Sequence, residues 1–183
     1  ADIIDIGGES TRPGSKVISP KKELIRVKKI IEKFKKNFPS KILSIDTRKS
    51  LVMNFSIQND ADIINDVSCF KFDPKSLDII KNKNIWKIIH HMQGTPQTMQ
   101  IKPFYNNVLL DIYDFFEGEI EKFKKFKHHK KLILDPGIGF GKNLKHNLMI
   151  LNKISLFHSL GFPILLGTSR KRFIRQISGK YDT

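Results

Sequence analysis

The side chains of this 183-residue chain that could do chemistry sit at the ends of short apolar runs. Ile3-Ile4-Asp5-Ile6 leads into Gly7-Gly8-Glu9-Ser10-Thr11-Arg12-Pro13-Gly14, Ile45 into Asp46-Thr47-Arg48-Lys49, and Ile63-Ile64 into Asn65-Asp66-Val67. The same plan recurs at His91-Met92-Gln93-Gly94-Thr95-Pro96, at Asp135-Pro136-Gly137-Ile138-Gly139-Phe140-Gly141-Lys142, and at Gly167-Thr168-Ser169-Arg170-Lys171. A carboxylate at the end of an apolar strand is costly unless it is paired or faces a cleft. Taken singly, Asp46, Asn65 and Asp135 read as capping or structural groups. At equivalent ends of different strands they form a set that could read the amide and amino edge of a pterin or purine, since carboxylates accept from N–H groups and Asn both donates and accepts. Arg12 could fork onto a carboxylate or phosphate, with Pro13 stiffening its loop. Lys171 could bond a carbonyl or offset anionic charge.

Other patterns fail on inspection of their spacing. Gly137-x-Gly139-x-Gly141-Lys142 lacks the four-residue gap of a Walker loop, places Asn143 where Ser or Thr would hold magnesium, and misses the two-residue gap of a dinucleotide fingerprint. His90 and His91 are adjacent on a strand and so point to opposite faces, which keeps them from one metal ion. Cys69 reads as a small buried residue rather than a nucleophile.

These groups need elements to position them. Apolar runs predict strands at Asp2–Ile6, Ile42–Asp46, Asp62–Val67, Trp86–His90, Leu132–Asp135 and Ile164–Gly167, apolar on both alternations as in a sheet covered on both faces. Between them lie amphipathic stretches. Ser19 and Pro20 predict a helix start, and Leu24, Val27, Ile31, Phe34 and Phe38 one buried stripe, ended by Pro39. Val108–Phe126 repeats the pattern with Leu109, Ile112, Phe116, Ile120 and Phe123. Asn143 predicts the cap of a helix running to Gly161 and Pro163. Shorter helices are expected after Asp73-Pro74 and over Asn54–Asn59. A strand spacing of roughly 30 residues suits repeated βα units. The expected fold is therefore α/β, either a (β/α)8 barrel or an open doubly wound sheet. Site-like chemistry at most strand ends favours the barrel, whose site lies at the C-terminal face.

Charge and composition bound the partners. The formal net charge is +15, from 33 Lys and Arg against 18 Asp and Glu. A nucleic-acid surface would use such charge, yet the lysines concentrate on helix faces and no strand face interleaves aromatic with basic residues. The expectation is small-molecule substrates, no nucleic acid and no membrane, with a positive field that favours anionic substrates. No apolar run approaches the roughly 20 residues that span a bilayer. A single cysteine cannot form an internal disulfide and fits a reducing, cytoplasmic setting. The chain opens inside an apolar run and stops soon after a helical pattern begins, which reads as one domain, 1–183, cut at both ends.

The strings Gly-Gly-Glu-Ser-Thr-Arg-Pro-Gly and Asp-Pro-Gly-Ile-Gly-Phe-Gly-Lys, with Ile45-Asp46-Thr47-Arg48-Lys49, Ile64-Asn65-Asp66-Val67, His91-Met92-Gln93-Gly94 and Gly167-Thr168-Ser169-Arg170-Lys171, resemble dihydropteroate synthase nearly end to end. The resemblance implies a (β/α)8 TIM barrel, here an incomplete one covering about strands 2 to 7, whose isolated form would be poorly stable and inactive. It implies condensation of 6-hydroxymethyl-7,8-dihydropterin diphosphate with p-aminobenzoate in folate biosynthesis. It assigns pterin binding to Asp46, Asn65, Val67, Met92, Asp135 and Lys171, and p-aminobenzoate binding to Thr11, Arg12, Pro13, Phe140, Ser169 and Lys171. Asp135, Lys171 and Arg12 would be catalytic, with Mg²⁺ as cofactor and its ligand upstream of Ala1. A homodimer is expected at full length. Arg48 departs from the family, where a smaller polar residue is common. The rival readings are a methyltetrahydrofolate:corrinoid methyltransferase-like barrel, a basic nucleic-acid-binding module and a non-catalytic relative.

Overall fold

Five short runs of β-branched and apolar residues form strands: β1 (Ile3–Gly7), β2 (Ile42–Asp46), β3 (Ile63–Asp66), β4 (Trp86–His90) and β5 (Leu132–Asp135). This is a computed structural model, and it describes residues 1–12, 14–169, 171, 173, 174 and 179. All pairings are parallel and the sheet order is β1-β2-β3-β4-β5, each strand beside its sequence neighbour. A doubly wound sheet reverses its order at a switch point. None of the described strands does so, and the succession is that of a barrel wall. Among the described residues the wall does not close.

Strand alternation sorts the side chains. Leu43, Ile45, Ile64, Ile89, Leu132 and Leu134 join the core between sheet and helices, with Val27, Ile31, Ile112, Phe116 and Phe157. The registers Gly7↔Asp46, Asp46↔Asn65 and His90↔Asp135 put the polar residues on the other, inner face, at the strands' C-terminal ends.

Helix α1 (Pro20–Asn37) starts as its sequence predicts, with Pro20 in the first turn and the Ser19 hydroxyl accepting from Lys22 N–H. Its buried stripe is Glu23, Val27, Ile31 and Phe34. Two members of the expected stripe differ: Leu24 is half-buried, and Phe38, the C-cap, is exposed against the Phe34 ring. Helices α2 (Ser50–Gln58) and α3 (Ser76–Ile80) are short. In α4 (Val108–Phe123), Glu119 takes a buried position beside half-buried Ile120, tied by Lys71 and Lys122. The long helix expected from Asn143 is instead two: α5 (Leu144–Asn152) and α6 (Ser155–His158). The break falls at Lys153, whose φ of −119° leaves the helical region, between the weak helix formers Asn152 and Ser155. Asn143 does cap α5, in a reciprocal pair with His146. The sixth expected strand is reduced to one bridge, Leu134↔Ile164. It is held by Leu134 N–H to Pro163 and Leu165 N–H to Leu134, with no further strand described on its far side.

Candidate active site

The first strand-end loop is held by a buried ion network that the sequence reading did not anticipate. The Arg48 guanidinium and the Lys49 ammonium both bond Glu9, at 2.7 and 2.8 Å, and Lys49 also bonds Glu23. The Thr47 hydroxyl donates to the other Glu23 oxygen. Burial pushes the Glu9 carboxyl up, but hydrogen bonds from Lys49 and Arg48 outweigh it and hold the pKa below the ordinary range. Glu9 also accepts from Ile18 N–H, closing the loop that carries Thr11 and Arg12. Arg48 lies 4.2 Å over the Phe72 ring. The alternation of α1 placed Glu23 near the apolar stripe, which was the available signal; nothing local pointed to its partners.

Asp46 and Asn65 are register partners on β2 and β3. Asp46 Oδ1 and Asn65 Oδ1 are enclosed without a hydrogen-bond partner among the described residues. Burial, followed by the neighbouring charges of Asp5, Asp66 and Glu23, pushes the Asp46 pKa up to about 8. Burial likewise raises the carboxyl of Asp5, on β1. At the end of β3, Asp66 accepts from Ser68 N–H, Ser68 Oγ and Phe70 N–H. Those bonds offset the left-handed backbone of Cys69 and Phe70 (φ 53° and 60°) and fix Val67 at the rim. Val67, Met92 and His90 line one cleft together with Arg48, Phe72 and Pro96.

The β5 loop turns back hard against β4. Gly137 has φ +68°, and a Cβ there would lie 1.9 Å from the His91 carbonyl oxygen, so only glycine fits. Its N–H bonds Asp135 Oδ1 at 2.7 Å. Asp135 Oδ2 faces His90 Nε2 at 3.9 Å. The Lys171 ammonium stands 4.2 Å over the Phe140 ring, and Phe140 meets the His90 ring edge-on at 4.5 Å. Burial lowers the Lys171 pKa, with Asp135 acting the other way. Lys142 is buried; it donates to His91 Nδ1 (2.9 Å) and to the Phe140 carbonyl (3.0 Å), and burial pushes its pKa down to about 7. His90 and His91 do serve opposite sides, as their adjacency implied: one meets Asp135, the other Lys142 and the Phe115 ring.

The residues singled out from the sequence thus gather in two groups. Asp46 and Asn65 form one; Asp135, Phe140 and Lys171 form the other, with Val67 and Met92 on the cleft between β3 and β4. Thr11 and exposed Arg12 sit on the β1 loop and reach neither group by a hydrogen bond among the described residues. Their loop is braced from the β4–α4 loop: Gly14 N–H bonds Pro96, and Gln97 bonds the Ser15 carbonyl. The same loop reaches the β5 loop through Gln100 to Gly139 and Tyr105 to Gly141. Ser169 is exposed, and Pro13 lies outside the described residues. No helix among the described residues is long and apolar enough to cross a membrane.

The family model of pterin binding enzymes matches residues 1–183. A dihydropteroate synthase of Escherichia coli (strain K12) is 40% identical over 178 residues, which is 97% of this chain and 62% of that relative. The Yersinia pestis dihydropteroate synthase solved with a sulfonamide drug superimposes with a TM-score of 0.93 at 39% identity, covering 98% of this chain and 65% of that one. The Xanthomonas albilineans dihydropteroate synthase solved with 4-aminobenzoic acid gives 0.89 at 33% identity, over 100% of this chain and 64% of that one. The chain thus spans about two thirds or slightly less of the length of each.

Proposed function

This chain belongs to the pterin-binding enzyme family, and from that premise we propose that it carries the pterin and arylamine sites of a dihydropteroate synthase. The reaction joins 6-hydroxymethyl-7,8-dihydropterin diphosphate to p-aminobenzoate. The bond from the pterin methylene to the diphosphate oxygen breaks, the arylamine nitrogen bonds the methylene, and the amine loses a proton. The observation that carries the reading is the pair of enclosed, unbonded oxygens on Asp46 and Asn65, beside a second strand end where Asp135 and Lys171 face each other's charge. A heterocycle with adjacent N–H donors would satisfy all three strand ends.

In this proposal Asp46, Asn65 and Asp135 hold the pterin edge, with Val67 and Met92 against the ring. Asp135 also stabilises positive charge as it spreads into the pterin, and Lys171 with Arg12 stabilises the departing anion. Thr11, Arg12, Pro13, Phe140 and Ser169 hold p-aminobenzoate. No covalent nucleophile is required. Among the described residues no three carboxylate, imidazole or thiolate side chains converge as a metal site. Magnesium is proposed as the cofactor, with its protein ligand upstream of Ala1, where it would offset the charge of the substrate diphosphate. A cytoplasmic setting and a homodimer of the full-length protein complete the proposal.

The test is product formation by the full-length protein from labelled p-aminobenzoate and the dihydropterin diphosphate with Mg²⁺. Dihydropteroate formed by the parent and lost in Lys171→Ala and Asp135→Asn supports the reading. Pterin binding without product would redirect it to a methyltransferase-like or non-catalytic barrel, and absence of pterin binding would overturn it.

A further inference from the structure

His90 is a buried polar residue that packing alone does not account for. It ends β4 on the inner face, opposite Asp135 in the register, and is 3% exposed. Among the described residues its Nδ1 is enclosed with no partner at hydrogen-bonding geometry. Its ring is fixed edge-on to Phe140, the same ring that carries the Lys171 ammonium. Of the two Asp135 oxygens, Oδ1 is taken by Gly137 N–H, and Oδ2 is the one directed at His90 Nε2, 3.9 Å away. A buried ring nitrogen left unbonded is destabilising, so an apolar residue of similar volume would serve better if the position only filled space.

We propose that His90 is a positioning residue for Asp135: its Nε2–H orients Oδ2, so that the carboxylate presents one fixed edge to the pterin. This rests on the pterin-site reading above. A hydrogen bond of this kind can be long in the empty site and shorten when ligand pulls the carboxylate into place. The ring must be neutral to do this without cancelling the negative charge of Asp135. Its surroundings enforce that: burial, opposed by Asp135 and by the Val67 backbone but reinforced by the Lys142 and Lys171 charges, pushes the His90 pKa down to about 4. Asp135 then has both oxygens set when ligand is bound, one by the Gly137 backbone N–H and one by the imidazole N–H drawn into range.

The experiment uses the full-length protein, with 6-hydroxymethylpterin as the probe, titrated calorimetrically into the parent, His90→Met and His90→Gln. Met matches the volume and removes both nitrogens; Gln keeps an N–H donor. Loss of a hydrogen bond to a charged group should weaken His90→Met binding by about ten- to a hundredfold. Thermal stability should stay level or rise, and His90→Gln should recover most of the affinity. A purely structural His90 would show the reverse, with parental affinity in His90→Met; that result overturns the inference while leaving the pterin site intact. No probe binding by the parent overturns the reading beneath it instead. Should the variants fail to fold, ¹⁵N chemical shifts of His90 in the parent decide the question: an Nε2–H tautomer supports the assignment and an Nδ1–H tautomer refutes it.

Discussion

Replacing Lys49 with Met tests whether the buried ion network holds the first loop. The ammonium is 2% exposed and bridges Glu9 and Glu23, whose side chains are 4% and 0% exposed. Removing it leaves Arg48 on Glu9 Oε2, but Glu23 keeps only the Thr47 hydroxyl. Breaking a buried pair by deleting one partner costs about 3–5 kcal/mol, because the remaining charge is stranded. For a chain of this size that is a fall in Tm of roughly 6–20 °C. A stranded carboxylate can be relieved by neutralising it, so Glu23→Gln in the Lys49→Met background should recover about 1–3 kcal/mol. The assay is urea unfolding of the parent, both single variants and the double variant, analysed as a cycle. A loss below about 1 kcal/mol in Lys49→Met, or a further loss on adding Glu23→Gln, would refute the reasoning. Because Glu9 also closes the loop through Ile18, the single variant in the full-length protein should, on the proposed function, raise the KM for p-aminobenzoate as well.

Three other outcomes follow from the structure. Asp46 has a folded-state pKa raised from 3.8 to about 8, so the native state binds more protons than the unfolded chain between those values. Stability should fall as pH rises from about 4 to 8, and Asp46→Asn should flatten that slope in unfolding curves taken across the range. Gly137→Ala would push a methyl into the His91 carbonyl from a left-handed backbone, costing about 3 kcal/mol or more in a thermal melt; parental stability would show that the β4 and β5 ends are not in contact. Lys87 is fully buried on the helix side and, among the described residues, bonds only the Lys83 and His128 carbonyls, both at 3.3 Å. Lys87→Met should therefore stabilise by about 1–2 kcal/mol, and a comparable loss in urea unfolding would contradict this.

Strand positions were legible because Ile, Leu and Val at Ile42–Asp46, Trp86–His90 and Leu132–Asp135 leave no competing period. Barrel order also followed from polar groups at nearly every strand end. The division of the last helix was not legible, since Ile150, Ile154, Phe157 and Leu160 keep a helical spacing of three and four across the turn at Lys153. Glu23 and Glu119 were hidden for another reason. Acids beside apolar stripes read as solvent-facing, and only tertiary contacts with Lys49, Lys71 and Lys122 let them be buried. In the site, residue types at strand ends identified Asp46, Asn65, Asp135 and Lys171. His90 stands out in the sequence only as half of an adjacent pair that cannot share a metal ion; its link to Asp135 depends on a cross-strand register that no local pattern reveals.

The brace from the β4–α4 loop has a consequence for how the site opens. Pro96 and Gln97 hold the β1 loop, while Gln100 and Tyr105 hold the β5 loop, mostly through backbone carbonyls. Local unfolding of that one segment would release both neighbours together, as a single cooperative unit. The Gly14 amide would then exchange its hydrogen at a rate set by a segment some eighty residues away in sequence. Substrate access would be governed by the free energy of that shared opening, so a substitution in the brace could alter the solvent exchange of both loops without touching either.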